Sequence, residues 1–262
     1  MRTFVLGDIH GAHKAMLQCF ERSGFDYEKD KLICLGDVVD GWPETPQCIE
    51  ELLKIKNLVY IMGNHDCGCN SWFKMGERHL IWTEQGGQAT IDAYVENGDL
   101  LVKHRNFFDQ ALVYYVDEQN RLFVHGGIWI EKALPYSNKY DGTPMQGSIS
   151  DKNTSTFLMW DRTMFESVER VEDFKEAYIG HTTTTHWYRI DDNPGYYGWD
   201  IDAFEYDKDC SVPIITGDSG HVIRVDTGAG WEGKLTLMDI DTKEFWQSDF
   251  CHDLYPEASG RR

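Results

Sequence analysis

Short apolar runs alternate with amphipathic stretches through the first half of the chain. The runs at 4–6, 32–35 and 58–62 have the length and composition of buried strands. Helical periodicity follows the first run at 15–22 and the second at 46–55. This βαβαβ order is typical of a mostly parallel sheet flanked by helices.

The second half of the chain is richer in strand-like runs. They occur in the segments QALVYYV, NRLFVHGG, AYIGHT, HVIRVDTG and KLTLMDID, and GGQATIDAY at 86–94 opens a further helix. A second sheet packed on the first would accommodate these strands, so the pattern predicts an α/β fold. Segments 131–156 and 191–200 are rich in Pro, Gly, Ser or Asn and are predicted to be long surface segments. No repeat or low-complexity linker divides the chain, and we expect one catalytic domain over residues 1–262.

Polar side chains follow a glycine where each of the first three predicted strands ends. GDIHG at 7–11, GDVVDG at 36–41 and GNHD at 63–66 each follow an apolar run. Two later runs end in VHGG and IGHT, which add His125 and His181. Because open α/β sheets place their sites at the carboxyl ends of strands, we expect these five loops to meet.

Each of these residues also has an ordinary structural explanation. Asp8 could cap a helix beside a surface His10, His65 could cap a loop, and a lone histidine behind an apolar run is usually a packing residue. For Asp66 a loop-capping role is the prediction. Five such loops in one chain make separate structural explanations improbable for the set as a whole.

The donors in these loops fit two divalent metal ions. The candidate ligands are Asp8, His10, Asp37, Asn64, His125 and His181. Carboxylate, amide and imidazole groups together suit Mn²⁺, Fe or Zn²⁺ rather than Ca²⁺, which takes oxygen ligands only. Two ions about 3.5–4 Å apart can hold a phosphoryl group and lower the pKa of a bridging water. The sequence therefore predicts a dinuclear metal centre.

This set of motifs resembles the calcineurin-like metallophosphoesterases, and within them the phosphoprotein phosphatase (PPP-type serine/threonine phosphatase) family in its bacterial and phage branch. GGQAT at 86–90 and VDTGAGWEGKLTLMDID from Val225 extend the resemblance over nearly the whole chain. The resemblance implies a four-layer αββα sandwich in which two mixed sheets are flanked by helices. It also implies two divalent ions, with Mn²⁺ expected and Fe or Zn²⁺ as alternatives.

The resemblance further implies a role for each motif residue. Asp8, His10 and Asp37 would bind one ion, and Asp37, Asn64, His125 and His181 the other, so that Asp37 bridges. Asn64 would also contact the substrate. His65 would be the general acid and Asp40 its orienting partner. A carboxylate behind an imidazole fixes its tautomer and favours the protonated form, which suits that task.

Two phosphate-binding arginines of the phosphoprotein phosphatases are missing here. Gly41 and Trp42 stand where that family reads Arg-Gly, and Met62 stands where a second arginine usually precedes G-N-H. Arg162, in LMWDRTMF, resembles the family's W-x-R arginine and is predicted to bind substrate, with an exposed ion pair as the alternative. We therefore expect weak capture of the phosphate in the ground state.

The predicted activity is metal-dependent hydrolysis of phosphate monoesters, as in a serine/threonine phosphatase, with a metal-bridging hydroxide from water as the direct nucleophile. The alternative is hydrolysis of a phosphoanhydride, as in a symmetrical dinucleoside tetraphosphatase. A catalytically silent binding module is a further alternative, against which the complete ligand set counts. The expected partner is a phosphorylated protein or a small phosphorylated molecule.

Composition limits the remaining partners. Lys and Arg total 25 against 44 for Asp and Glu, and a net charge of −19 argues against binding a nucleic-acid backbone or an anionic membrane. No apolar stretch has the length to cross a bilayer, and the first residues lack a signal-peptide core, so a cytoplasmic location is expected. The seven cysteines lack the spacing of a disulfide framework.

Aromatic and imidazole side chains outside the motifs carry weaker predictions. Six tryptophans lie beside motif loops or long segments: Trp42, Trp72, Trp129, Trp160, Trp187 and Trp199. They could line a groove for a nucleobase or a peptide side chain, or simply bury area in the core. Six histidines are predicted to lie at the solvated surface: His13, His79, His104, His186, His221 and His252.

Overall fold

The structure is a computed structural model that describes residues 1–128, 144–148, 152–162, 164, 174–189, 197–199, 210–216 and 221–261. Most of the predicted surface segments 131–156 and 191–200 lies outside the described residues. The described parts, however, hold a strand at Met145–Ser148 and a helix from Lys152 in the first segment and a strand at Tyr197–Trp199 in the second, where loops were predicted.

Thirteen strands are found among the described residues. They are β1 (Thr3–Leu6), β2 (Lys31–Cys34), β3 (Asn57–Tyr60), β4 (Leu112–Val116), β5 (Arg121–Val124), β6 (Met145–Ser148), β7 (Glu176–Ile179), β8 (Trp187–Arg189), β9 (Tyr197–Trp199), β10 (Ile214–Thr216), β11 (Val222–Arg224), β12 (Thr236–Asp239) and β13 (Phe245–Gln247). Every strand predicted from the sequence is present, and the first three alternate with helices as expected.

The helices of the described residues lie mainly in the first half of the chain. They are α1 (His13–Ser23), α2 (Thr45–Leu52), α3 (Asn64–Met75), α4 (Leu80–Trp82), α5 (Gln88–Glu96), α6 (Leu101–Asp109), α7 (Lys152–Trp160) and α8 (Cys251–Leu254). A kink within Thr83–Gly87, where Gly86 has φ 106°, joins α4 to α5, and short 3₁₀ turns lie at Gly98–Leu100 and Thr184–His186.

The strands form two large mixed sheets. The first sheet has the order β13-β12-β1-β2-β3, in which β1, β2 and β3 are parallel and the other two pairings are antiparallel. The second has the order β10-β11-β7-β5-β4-β6, with β11, β7 and β5 parallel. The pair β8-β9 forms a separate two-stranded ribbon.

The two sheets pack face to face, and helices cover both outer faces. Val5 and Ile33 of the first sheet share an apolar cluster with Phe123 and Tyr178 of the second, whose rings stack at 4.8 Å. On the outer face of the first sheet, α1 and α2 bury their apolar residues, and Leu158 of α7 packs on the second sheet. This is the predicted αββα sandwich of four layers.

Alternation along β1 explains why its apolar run is continuous. Phe4 and Leu6 face the helices while Val5 faces the second sheet, because successive side chains of a strand point to opposite faces. Because both faces are buried, the three residues after the partly buried Thr3 are all apolar. The helix that follows ends where Gly24 adopts the left-handed conformation with φ 61°.

Several weaker expectations are decided by burial. His104 was predicted at the surface, which is wrong, because it is fully buried between Tyr94 and Glu50, both within hydrogen-bonding distance. Trp42 lies in the core, and Trp72 is partly buried and packs against it, so neither lines a groove. Trp129 and the side chains of Trp187 and Trp199 lie outside the described residues. No disulfide joins any of the seven cysteines, all of which are described. No helix within the described ranges is long and apolar enough to span a membrane.

The layer between the sheets should dominate stability. Phe123→Ala removes a ring that stacks on Tyr178 in the centre of that layer, and a buried Phe→Ala change typically costs about 3–5 kcal/mol. Phe245→Ala, at a β13 position that is 42% exposed, is the control and should cost about 0.5 kcal/mol or less. Urea denaturation of both variants measures the two costs, and equal losses would contradict a core between the sheets.

Candidate metal centre

The ends of β1, β2, β5 and β7 bring two groups of potential metal ligands together. The groups are Asp8, His10 and Asp37, and Asp37, His125 and His181. Within each group the ligand atoms lie within 4.8 Å of one another, and all five residues are buried. Asp37 belongs to both groups. The loops predicted to meet do meet, and the carboxylate expected to bridge occupies the shared position.

The shortest distances in the two groups involve Asp37. Its Oδ2 lies 3.3 Å from His125 Nε2 and 3.7 Å from His10 Nε2, while His10 Nε2 is 4.0 Å from Asp8 Oδ2. Asn64, at the start of α3, completes the predicted set: its Oδ1 is 3.1 Å from His125 Nε2. These separations suit donors that surround a common ion more than they suit direct ion pairs.

The histidine rings are oriented by their far nitrogen atoms. Nδ1 of His10 lies 3.0 Å from the carbonyl of Val39, and Nδ1 of His125 lies 2.8 Å from the carbonyl of Leu35. Each contact leaves Nε2 facing the cluster, which is how metal-binding histidines are commonly held. His181 Nε2 is buried without any hydrogen-bond partner among the described residues. A buried ring nitrogen with a free lone pair fits a metal ion at this position.

Glycines and strained backbone let the loops approach so closely. A Cβ atom on Gly63 would lie 2.0 Å from Asp37 Oδ1, and one on Gly180 would lie 2.3 Å from Asp8 Oδ1. Asp37 and His181 have positive φ angles of 46° and 64°, an uncommon conformation for residues other than glycine. His10 and Asp40 share this feature, with φ 52° and 71°. Strain concentrated in one place is typical of a functional site.

Buried negative charge dominates the electrostatics of the cluster. Burial raises the pKa of Asp8, and the neighbouring Asp226 carboxylate raises it further. Burial opposes protonation of His125, but Asp37 and Asp8 outweigh it and raise the pKa of His125 to about 9. Burial also disfavours the ionised form of Asp37, yet His125 and His65 hold its pKa well below the usual value. The cluster therefore stabilises positive charge at its centre, which a divalent cation would supply.

His65 and Asp40 form the predicted pair beside this cluster. His65 Nδ1 lies 2.7 Å from Asp40 Oδ2, and both side chains are buried. The backbone N–H of His65 donates to Asp37 Oδ1 at 2.9 Å, which ties the pair to the shared carboxylate. His65 Nε2 has no hydrogen-bond partner among the residues that the structure describes. The ring therefore presents a free nitrogen to the space in front of the cluster.

Two residues that hold Asp40 were missed in the sequence. Trp82 Nε1 donates to Asp40 Oδ2 at 2.7 Å, and Thr90 Oγ1 donates to Oδ1 at 2.7 Å while accepting the Asp40 N–H at 2.9 Å. Thr90 ends the GGQAT segment, which the sequence analysis identified, but its contact with Asp40 was not predicted. Trp82 lies in α4, and no local pattern marks it.

Two structural alternatives are decided by hydrogen bonds. Asp66 accepts the N–H groups of Gly63 at 3.0 Å and Val38 at 2.8 Å, which confirms the loop-capping prediction. The alternative that Asp8 caps α1 is wrong: the N-cap position is Ala12, and the Asp8 carboxylate accepts the N–H of His181 at 3.0 Å.

Arg162 reaches the second group of ligands. Its Nη1 donates to Thr182 Oγ1 at 2.6 Å, one residue after His181. Among the described residues it forms no ion pair, so the exposed-pair alternative finds no support there. Met62 and Gly41, the positions of the missing arginines, are a fully buried core residue and a left-handed glycine with φ 102°.

A cavity of about 260 Å³ opens beside His65. Asn64 and His65 line one side of it, and Trp82, Ile81 and Trp160 also line it. Trp160 is 50% exposed, and its ring centroid lies 6.0 Å from that of His181. Of the six tryptophans considered for a groove, Trp160 is the one that the described structure places at such a cavity.

Proteins of known name match this chain over nearly its whole length. The symmetrical bis(5′-nucleosyl)-tetraphosphatase of Pseudomonas fluorescens (strain SBW25) is 26% identical over 282 residues, covering 93% of this chain and 93% of that protein. The protein of the same name from Pseudomonas syringae pv. syringae (strain B728a) is 24% identical and covers 99% of this chain and 96% of its own length.

Solved structures share the fold at low identity. A putative diadenosine tetraphosphatase superposes with a TM-score of 0.54 at 13% identity, covering 94% of this chain and 92% of that one. A serine/threonine protein phosphatase from Saccharomyces cerevisiae gives 0.53 at 13% identity, covering 95% and 79%. The family model described as calcineurin-like phosphoesterase matches residues 1–219. The chain therefore belongs to the calcineurin-like phosphoesterase family.

Proposed function

We propose that this chain hydrolyses the central phosphoanhydride bond of a symmetrical dinucleoside tetraphosphate and releases two nucleoside diphosphates. The cavity beside His65 carries this proposal, because a leaving nucleoside diphosphate needs room for its nucleoside next to the group that protonates it. Trp160 offers an aromatic face there. The relatives that match this chain over nearly their whole length, named symmetrical tetraphosphatases, support the same substrate class.

The proposed activity is the alternative prediction from the sequence, phosphoanhydride hydrolysis, rather than the hydrolysis of phosphate monoesters. The two reactions share their metal centre and differ in the leaving group, so the ligand set does not separate them. A phosphoserine side chain is short, so in a peptide substrate only the residues that flank it would fill the cavity beside His65. The named relatives favour the anhydride, whereas the yeast phosphatase contributes a shared fold alone.

The metal ligands are assigned as the sequence suggested. We assign Asp8, His10 and Asp37 to one divalent ion and Asp37, Asn64, His125 and His181 to the other, with Mn²⁺ as the expected metal. Divalent ions bound there would neutralise phosphoryl oxygens and supply an activated water. The free Nε2 of His181 and the shared Asp37 are the observations behind this assignment.

The protein's own groups then act on the leaving group. A water oxygen forms a bond to one central phosphorus while the bond from that phosphorus to the bridging oxygen breaks. The leaving nucleoside diphosphate keeps the bridging oxygen. His65 is placed to donate a proton to it from Nε2, because Asp40 occupies Nδ1. Trp82 and Thr90 act as positioning residues, since they fix the Asp40 carboxylate.

Product analysis tests the proposed substrate class. We expect hydrolysis of diadenosine tetraphosphate under Mn²⁺ to give nucleoside diphosphate alone, and in ¹⁸O-water one of the two product molecules should carry the label. An aryl phosphate and a phosphoserine peptide should react with a lower kcat/KM. Release of nucleoside monophosphate and triphosphate would contradict central cleavage, and faster turnover of the phosphoserine peptide would restore the monoesterase.

Asp37→Asn tests the bridging position. Because one carboxylate serves both groups of ligands, loss of its charge should weaken both ions together. Metal analysis after Mn²⁺ reconstitution should show substoichiometric metal at both sites and near-complete loss of activity. His10→Ala is the matched variant, since it removes a ligand of one group only and should spare the other ion. One ion retained at full occupancy in Asp37→Asn would disprove the bridging role. A parent protein that binds no metal would instead support the catalytically silent binding module.

His65→Asn tests the general acid without removing a metal ligand. A general acid contributes about 10²–10⁴-fold, and its contribution grows as the leaving group becomes more basic. The rate loss should therefore be largest for an alkyl phosphate and smaller for an aryl phosphate and for the tetraphosphate, with both metals retained. Asp40→Asn should show the same order with smaller losses. Equal losses on all three substrates, with chemistry rate-limiting, would disprove proton donation by His65.

A further inference from the structure

Arg261 lies against Gly41, which stands where the phosphoprotein phosphatases have their first phosphate-binding arginine. A Cβ atom on Gly41 would lie 3.1 Å from Arg261 Cγ, and one on Gly86 would lie 3.4 Å from the same atom. A Cβ on Gly230 would lie 2.8 Å from Arg261 Cδ and 2.4 Å from His10 Cδ2. The stem of Arg261 therefore passes between these glycines, next to a candidate metal ligand.

Trp42 holds the segment that delivers Arg261. Its indole is fully buried, stacks on Tyr255 with centroids 5.1 Å apart, and donates from Nε1 to the carbonyl of Ala229 at 2.6 Å. A Cβ on Gly260 would lie 3.0 Å from the Trp42 ring, so the chain runs directly over it. The N–H of Arg261 then donates to the carbonyl of Gly230 at 2.9 Å.

The buried Asp226 carboxylate interacts with the guanidinium group of Arg261, but not at ion-pair distance. The Arg261 Nε is buried without a hydrogen-bond partner, and no ion pair with a carboxylate is found among the described residues. Its carbon Cζ lies 5.1 Å from the centroid of the Trp231 ring. A buried cationic donor without a partner is costly, so an anionic ligand at this position would stabilise it.

Arg261 lies beside both the candidate metal centre and Arg162. Its stem and the His10 ring meet the same point beside Gly230. Burial lowers the pKa of Arg162, and the charge of Arg261 lowers it further, so the two guanidinium groups are close enough to repel each other. The buried Asp226 carboxylate interacts with both groups, so the two cations share one acid, and an anion bound between them would add a second negative partner.

We propose that Arg261 is the phosphate-binding arginine of this site, reaching from a distant part of the chain into the space that Gly41 leaves free. Its planar guanidinium would bind two non-bridging oxygens of the phosphoryl group at the metal centre. The inference rests on the proposed function only in requiring that the site binds phosphate. It also explains both departures from the family motif: Gly41 provides room for the Arg261 stem, and Trp42 anchors the segment that carries it.

The alternative is a structural role, in which Arg261 only fastens its segment through its contact with Trp231. Phosphate binding separates the two roles. Inorganic phosphate should raise the melting temperature of the Mn²⁺-loaded parent and inhibit it competitively. In Arg261→Ala the phosphate dissociation constant should increase about tenfold to hundredfold, the range for losing charged hydrogen bonds, with metal content unchanged. Arg261→Lys should fall between the two, because an ammonium is a point charge.

Two further variants keep the test decisive. Arg261→Gln retains most of the stem and removes the charge, so it should lose phosphate binding while melting like the parent. Arg22→Ala removes an arginine that pairs with Asp249 at the surface and should bind phosphate like the parent. An amino-terminal affinity tag leaves the segment after α8 unaltered in all variants.

Chemical rescue provides a result that a structural role would not produce. Millimolar guanidinium ion should restore part of the phosphate affinity of Arg261→Ala and leave that of Arg22→Ala unchanged. Phosphate affinity within about twofold of the parent in folded, metal-loaded Arg261→Ala and Arg261→Gln would overturn the proposal. Because phosphate binding is measured without a substrate, a chain that binds phosphate through Arg261 but cleaves no tetraphosphate would disprove the proposed function alone.

Discussion

The buried carboxylate of Asp37 is the constraint on which the site depends. It lies at the end of β2, belongs to both groups of ligands, and accepts the N–H of His65. A buried anion is costly unless cations and donors surround it. Residue 63 must be a glycine, because a Cβ atom there would collide with the Asp37 carboxylate. The backbone of Asp37 itself has a positive φ angle. The fold supplies the rigidity that holds this strain, because β2 is paired on both sides and covered on both faces.

A second buried carboxylate organises the neighbouring histidine in a different way. Asp40 accepts hydrogen bonds from Trp82 and Thr90, which come from the region between α4 and α5. Burial raises the pKa of Asp40, and the bonds from His65, Thr90 and Trp82 oppose that shift. Neutral donors therefore fix the orientation of the Asp40 carboxylate. The fixed carboxylate in turn orients the His65 ring. The region from Leu80 to Glu96 thus serves as a support for the pair.

If Arg261 binds phosphate as proposed, the arginine missing from the motif loop is replaced by one from a distant part of the chain. The motif loop lacks its arginine, and the residue that follows, Trp42, is a core tryptophan instead. These two changes suit one another, since the glycine opens a passage and the tryptophan carries the segment that fills it. Under this view Arg162 and Arg261 flank the phosphate together, one beside the ligands of the second group and the other beside His10. The weak phosphate capture expected from the motif alone ignores the second of these cations.

The sequence by itself determined the strand order of the first half, the second sheet and the convergence of five loops. These features are local or periodic: buried strands need continuous apolar runs, and parallel strands align their carboxyl ends. It also placed Asp8, His10, Asp37, His125 and His181 correctly in one cluster. The burial of His104, the support of Asp40 by Trp82, and the approach of Arg261 to Gly41 were decided by tertiary structure alone. Each joins residues far apart along the chain, and no periodicity or spacing records such a contact, because it arises only when separate elements pack against each other.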